Sequence, residues 1–303
     1  MTDKMEEQYG RIDLLRDVCA VSYKALQKAK PLVKEGGRLV DVADAVESFI
    51  KEAGYGIAFP LNLSQGAEAA HYTPKSNDGR LFGREVVKID IGAEREGILG
   101  DCALTVDLTG ENGELVDASR AALENAIASI KAGAKIGEIG GEIERTLASA
   151  GFNPIVNLGG HGVRRNDLHS DPFIPNFDNG DDTELEEGMI VAIEPFATTG
   201  EGYVVSGESS EIFSFMAEAA VRMPGARKLF AEITSKYPHN PFALRWNRSL
   251  FDSDFALYAA AGELLRAGAI DAHPVLVESS GGIVSQYEAM VAVEKGGCEL
   301  LTK

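Results

Sequence analysis

The chain has 303 residues, 45% of them hydrophobic and 25% charged, with a net charge of −18 at neutral pH; such a length and balance can bury a large core in one or two globular domains. The acidity argues against a general nucleic-acid binder, whose phosphate contacts need clustered Lys and Arg. Three widely spaced cysteines, Cys19, Cys102 and Cys298, make no disulfide framework, and neither a leader-like N-terminus nor an uninterrupted apolar stretch of about 18 residues is present, so the expectation is a cytoplasmic protein with no membrane contact.

Helical spacing of Ile12, Leu15, Val18, Cys19, Ser22 and Leu26 predicts a helix from about Arg11 to Lys34, and Val42, Ala43, Val46, Phe49 and Ile50 predict a second, stopped at Gly54. After it come Tyr55, a short apolar run to Phe59, Asn62, and AAHYTP with His71. The stretch from Lys88 to Leu108, KIDIGAEREGILGDCALTVDL, then reads as two strands joined by the polar AEREG turn. Centred on Arg95 and Glu96, that hairpin sets Asp90 directly opposite Asp101, on one face of the sheet and roughly 5 Å apart at Cβ. Two buried carboxylates that close require a cation between them, and one or two hard divalent metals are the simplest candidates. Taken alone, the pair reads more readily as a solvated hairpin with exposed aspartates.

A second helix pair, Asp117 to Ala132 and Ile136 to Ala150, stops at Gly151 and is followed by Phe152, a short strand to Leu158, and His161. The order helix, helix, glycine, aromatic, strand, histidine thus occurs twice, with Ala53-Gly54-Tyr55 matching Ala150-Gly151-Phe152 and Asn62-Leu63 matching Asn157-Leu158. An internal duplication predicts a pseudo-twofold fold of curved antiparallel sheets with helices outside, and a site at the axis fed by both halves. Glu194 within MIVAIEPFAT and Glu288 within GIVSQYEAMVAV repeat the placing of an acid inside an apolar strand. Between them, roughly residues 209–268, three short helices (Ala226 to Tyr237, Phe242 to Leu250, Phe255 to Ala267) interrupt the pattern like an insertion within a single 1–303 domain.

Asp90, Asp101, Glu194 and Glu288 all lie in apolar runs, where acids are rarely buried without a partner. With His161 in NLGGHGV they form a set carrying four negative charges, which two divalent ions would neutralise. One nitrogen and no required sulfur disfavour structural zinc and suit Mn, Fe, Co or a catalytic Zn pair. Cys102 faces away from its neighbour Asp101 and reads as packing; Cys298 has no assigned role. His71 and His169 read as contacts to substrate or behind the ligands, and His239, beside Pro238, as a surface-loop residue.

These residues, in the order Asp90, Asp101, His161, Glu194, Glu288 and set in AAHYTP, GGHGV, AIEPFAT and QYE, closely resemble the pita-bread dinuclear metallopeptidases, and among them the type II methionine aminopeptidases in their archaeal form. The resemblance covers almost the whole chain and implies an α+β pita-bread fold with a helical insertion. It also implies removal of the N-terminal methionine from nascent proteins and peptides by a metal-bridging hydroxide. Asp90 would chelate one metal, Asp101 and Glu288 bridge both, and His161 and Glu194 complete the shell. Glu194 would also shuttle the proton, while His71 and His169 hold the scissile amide and the developing oxyanion.

The resemblance further implies a methionine pocket that includes Phe59, Leu168 and Phe196 beside His71 and His169, with His273 where the family usually has a tyrosine. Ala289-Met290 likewise stand where a His-Thr pair is usual. A monomer acting on peptides or on chains emerging from the ribosome is expected. The competing expectations are an Xaa-Pro aminopeptidase or prolidase on the same metal centre, and a non-catalytic binding protein on the same fold.

Overall fold

The computed structural model describes residues 11–303. Ile12, Leu15, Val18, Cys19, Ser22 and Leu26 all turn inward from helix α1 (Ile12–Ala29), and a single turn of 3-10 helix at Lys30–Leu32 ends it at Pro31. Helix α2 (Leu39–Glu52) buries Leu39, Val42, Ala43, Val46 and Ile50 against the same core. The duplicated pair is α3 (Gly113–Ser129) and α4 (Ile136–Ser149). Both pairs end alike. Gly54 (φ +85°) and Gly151 (φ +84°) take the left-handed conformation that closes a helix, and the next aromatic N–H reaches back, Tyr55 to Ile50 O at 3.2 Å and Phe152 to Leu147 O at 3.1 Å.

The strands are β1 (Gly56–Gln65), β2 (Glu68–Ala70), β3 (Val86–Arg95), β4 (Ile98–Leu99), β5 (Cys102–Asp107), β6 (Asn153–Pro154), β7 (Gly159–Arg164), β8 (Asp167–Pro175) and β9 (Ile190–Ile193). There follow β10 (Phe196–Thr198), β11 (Val204–Ser206), β12 (Ile212–Phe215), β13 (Phe242–Ala243), β14 (Ile270–His273), β15 (Leu276–Glu278), β16 (Val284–Gln286), β17 (Glu288–Glu294) and β18 (Gly297–Leu300). The main sheet runs β1-β3-β5-β17-β9-β7-β8, with β18 on β17 and β4 on β3. Its first six strands are a mirror sequence about the β5–β17 seam: β1, β3 and β5 of one half meet β17, β9 and β7 of the other, each half backed by its own helix pair. Ile89 and Ile91 pack toward α1 and α2, so Asp90 between them faces the opposite side of β3; Val191, Ile193 and Val291 pack toward α3 and α4, while the alternate Ala192 and Met290 join the core under α1 and α2.

Two expectations need correction. The hairpin turns at Glu96 (φ +56°) and Gly97 (φ +78°), the positive pair a two-residue primed turn requires, not at Arg95 and Glu96. Arg95 pairs Ile98, and Asp90 pairs Ala103 rather than Asp101. The register is displaced by two, which keeps every side chain on its face; Asp90 and Asp101 are diagonal neighbours. The middle helix expected at Phe242 to Leu250 is strand β13 followed by a 3-10 helix, Leu244–Leu250. Phe242 and Ala243 are drawn out by pairing with Phe213 and Ile212 of β12, a partner distant in sequence. Around this small sheet, α5 (Pro224–Lys236) and α6 (Asp254–Arg266) bury Leu229, Ile233, Leu257 and Leu264 in a separate core. Among the described residues no helix is long and apolar enough to cross a membrane.

Candidate metal centre

The five ligand candidates come one from each neighbouring position of the mirrored sheet. Asp90 lies on β3, Asp101 immediately before β5, Glu288 opens β17, Glu194 directly follows β9, and His161 is on β7. The ladders bring them level: Glu288 pairs Ala103, Ala289 pairs Ile193, and His161 pairs Ala192. Asp101, His161 and Glu288 are buried, Asp90 and Glu194 half-buried. Potential ligand atoms of Asp101, His161 and Glu288 lie within 4.8 Å of one another, as do those of Asp90, Glu194 and Glu288. Two groups therefore share Glu288. Asp101 falls with His161, and Glu194 with Asp90.

His161 Nε2 stands 3.7 Å from Asp101 Oδ2 and 3.8 Å from Glu288 Oε1. Its Nδ1 is 3.2 Å from Gly162 O, an obligate acceptor, so the proton sits on Nδ1 and the Nε2 lone pair faces the carboxylates. Burial, aided by the neighbouring His169 imidazole, pushes His161 down to about 3, and the neutral ring is the ligand form. The carboxyls move the other way. Burial raises Asp90 to about 7, and raises Asp101, Glu194 and Glu288 strongly, with mutual repulsion among the four adding to the last three. Asp90 Oδ1, Asp101 Oδ1 and both Glu288 oxygens are out of solvent with no hydrogen-bond partner. Protein groups leave those oxygens uncompensated, and divalent cations fit the set in charge, in donor type and in the two overlapping groups.

Gln286 escaped the sequence reading. Its Nε2 donates to Asp90 Oδ2 at 3.2 Å and to Glu194 Oε1 at 2.7 Å, tying the two half-buried acids together. The available signal was its position two residues before Glu288 in an otherwise apolar stretch, which puts both side chains on one face.

A cavity of about 510 Å³ opens over the carboxylates, lined by Phe59, Leu168, Phe196, His71, His169 and His273 among others. His71 has an unusual backbone (φ +67°) held by its N–H bonding Asn62 Oδ1 at 2.6 Å. Its Nδ1 is 3.2 Å from Pro274 O, so Nε2 is the acceptor nitrogen. Burial and the adjacent His273 push it down to about 4. His273 Nε2 is 2.7 Å from Ser214 Oγ, and its ring stands edge-on to His71 at 6.0 Å. His239, expected to be a plain surface-loop residue, is exposed but lines this cavity together with Pro241. The return of β13 onto β12 carries that loop to the mouth, a tertiary effect that local sequence does not encode. Cys102 is buried, its Sγ 3.5 Å from Ile91 O.

The model of metallopeptidase family M24 matches residues 13–223. A methionine aminopeptidase of Archaeoglobus fulgidus is 43% identical over 281 residues, covering 92% of this chain and 94% of the relative. Among solved structures, methionine aminopeptidase from Thermotoga maritima superposes with a TM-score of 0.71 at 26% identity, over 97% of each chain. A thermophilic Arx1 superposes with a TM-score of 0.81 at 18% identity, over 96% of this chain and 91% of its own, a likeness of fold alone.

Proposed function

The chain belongs to metallopeptidase family M24, and from that premise we propose how its residues divide the work of a metal-dependent methionine aminopeptidase, which removes the N-terminal methionine from peptides and proteins. Asp90, Asp101, His161, Glu194 and Glu288 hold two divalent cations, drawn from Co, Mn, Fe or Zn. The observation that carries this reading is the convergence of five strands on buried carboxylate oxygens that no protein donor satisfies. Bound there, the cations supply the positive charge that acidifies water and polarises the scissile carbonyl.

Glu194 has Oε1 occupied by the Gln286 amide, which leaves its second oxygen to take a proton from water and deliver it to the leaving amine. His71, unprotonated at Nε2, accepts the N–H of the scissile amide. His169 donates to the oxygen on which charge develops. Phe59, Leu168, Phe196 and His273 wall the side chain of the departing methionine, an unbranched thioether suited to apolar surroundings. Residues 209–268 form an inserted unit within a single domain, and His239 and Pro241 shape the substrate mouth from it. Chains emerging from the ribosome in the cytoplasm are the substrates in this reading, and the enzyme acts as a monomer; the three free cysteines agree with a reducing compartment.

The test is mass spectrometry of Met-Ala-Ser and Ala-Pro-Ser peptides incubated with chelator-stripped enzyme and then with each cation separately. Loss of methionine alone, and only with metal, is expected, and His161→Ala should lower turnover by orders of magnitude while remaining folded. Cleavage of Ala-Pro-Ser would move the protein to the proline-specific relatives, and silence on both peptides to a binding role on the same fold.

A further inference from the structure

We infer that Met290 is a positioning residue for the metal centre, holding Asp101 in place through a hydrogen bond from the Asp101 backbone N–H to the thioether sulfur. Asp101 N lies 3.0 Å from Met290 Sδ. The β5–β17 ladder explains why a side chain is needed there. Glu288 pairs Ala103 and Ala289 pairs Cys102; continued one step, Met290 would pair Asp101, but the ladder has closed. Met290 spends its backbone elsewhere, its N–H on Thr302 Oγ1 at 3.0 Å and its carbonyl on Leu301 N at 2.9 Å. The Asp101 N–H thus lacks a carbonyl acceptor on β17, and a buried amide cannot be left open without cost.

The thioether is fixed in turn. Met290 is fully buried, and Cys19 Sγ of α1 sits 3.9 Å from its sulfur. Helix α1, the Met290 sulfur, the Asp101 backbone and the Asp101 carboxylate are one connected chain of contacts, and the last member carries an unpartnered buried oxygen. A weak, unbranched acceptor that reaches this N–H sets the direction of the Asp101 side chain without offering the cations a competing charge.

The inference rests on Asp101 being a ligand, and Asp101→Asn tests that separately: an Asn variant that keeps both cations at native affinity would remove the ligand assignment itself. Met290→Leu keeps nearly the same volume and removes the acceptor. Calorimetric titration of the stripped variant should show affinity for at least one cation lowered ten- to a hundredfold, the span typical of losing a group that orients a ligand, with the metal-free melting temperature little changed. Native affinity in a folded Leu variant, alongside an Asn variant that loses metal, would overturn the role of Met290 alone. Should the Leu variant not fold, the selenomethionine-labelled protein decides: a scalar coupling between 77Se and the Asp101 amide proton is expected, and its absence would refute the bond.

Discussion

Asp90 is a residue whose protonation reports on the charge crowded into the site. Its carboxyl is raised by burial from an ordinary 3.8 to about 7, so the folded state holds an extra proton between those values. Stability from this group is present at low pH and is lost as pH rises through that window. His71 and His161, held down to about 4 and about 3 by burial, act in the opposite sense below 6.5, but equally in a protein altered only at residue 90. In chelated protein followed by circular dichroism, the melting temperature of wild type relative to Asp90→Asn should therefore fall by roughly 5 °C between pH 5 and 8. A pH-independent difference would show that Asp90 is ionised throughout. His71 poses the complementary case: its neutral state follows from burial, but which nitrogen faces the cavity depends on Pro274, a residue 203 positions away.

At the scale of elements, a buried acid ties the segment 244–250 to the body. Glu47 of α2 accepts from Arg245 Nη2, from Trp246 Nε1 at 2.7 Å and from Leu61 N at 3.2 Å. Arg245 Nη1 also bonds Thr73 Oγ1 at 2.8 Å and Pro74 O at 3.2 Å, just past His71. Glu47 and Arg245 are nearly inaccessible, at 3% and 4% of side-chain area. Arg245→Met strands a buried carboxylate and should cost about 3–5 kcal/mol in urea unfolding, whereas Glu47→Gln combined with Arg245→Met should cost less than the sum of the single changes, because the two residues share one interaction. Strict additivity would mean the pair is not coupled.

For the whole molecule, the proposed ligands divide between the mirrored halves: Asp90 and Asp101 from one, His161, Glu194 and Glu288 from the other. Cations bound by this set would tie the halves together across the β5–β17 seam and, because they would bind the folded state, would stabilise it by mass action. At a free cation concentration about a hundredfold above the dissociation constant, the gain should be about 2.7 kcal/mol, or roughly 5–10 °C in melting temperature. Scanning calorimetry of stripped and reloaded protein measures it. Asp101→Asn in the first half and Glu288→Gln in the second should each abolish most of that gain; a loss confined to one half would show that the cations do not span the seam.

Amphipathic spacing was sufficient to locate α1, α2 and α4, because a helix buries a stripe whose period is written in the chain. Paired glycine stops gave away the duplication, which the structure displays as a mirrored strand order. Acids placed in apolar strands marked four of the five residues that converge in the fold, since alternation decides the face of a strand without knowledge of its neighbours, and NLGGHGV supplied His161 as the fifth. What alternation leaves open is register, and the hairpin accordingly turned at Glu96-Gly97, two residues out in pairing but on the expected face. Gln286 between Asp90 and Glu194, Met290 under Asp101, and His239 at the cavity mouth were decided by tertiary structure alone. Each acts through a partner between 92 and 196 positions away or through a loop carried by distant strands, and a side chain's distant partner is set by how the sheet closes, which no local pattern records.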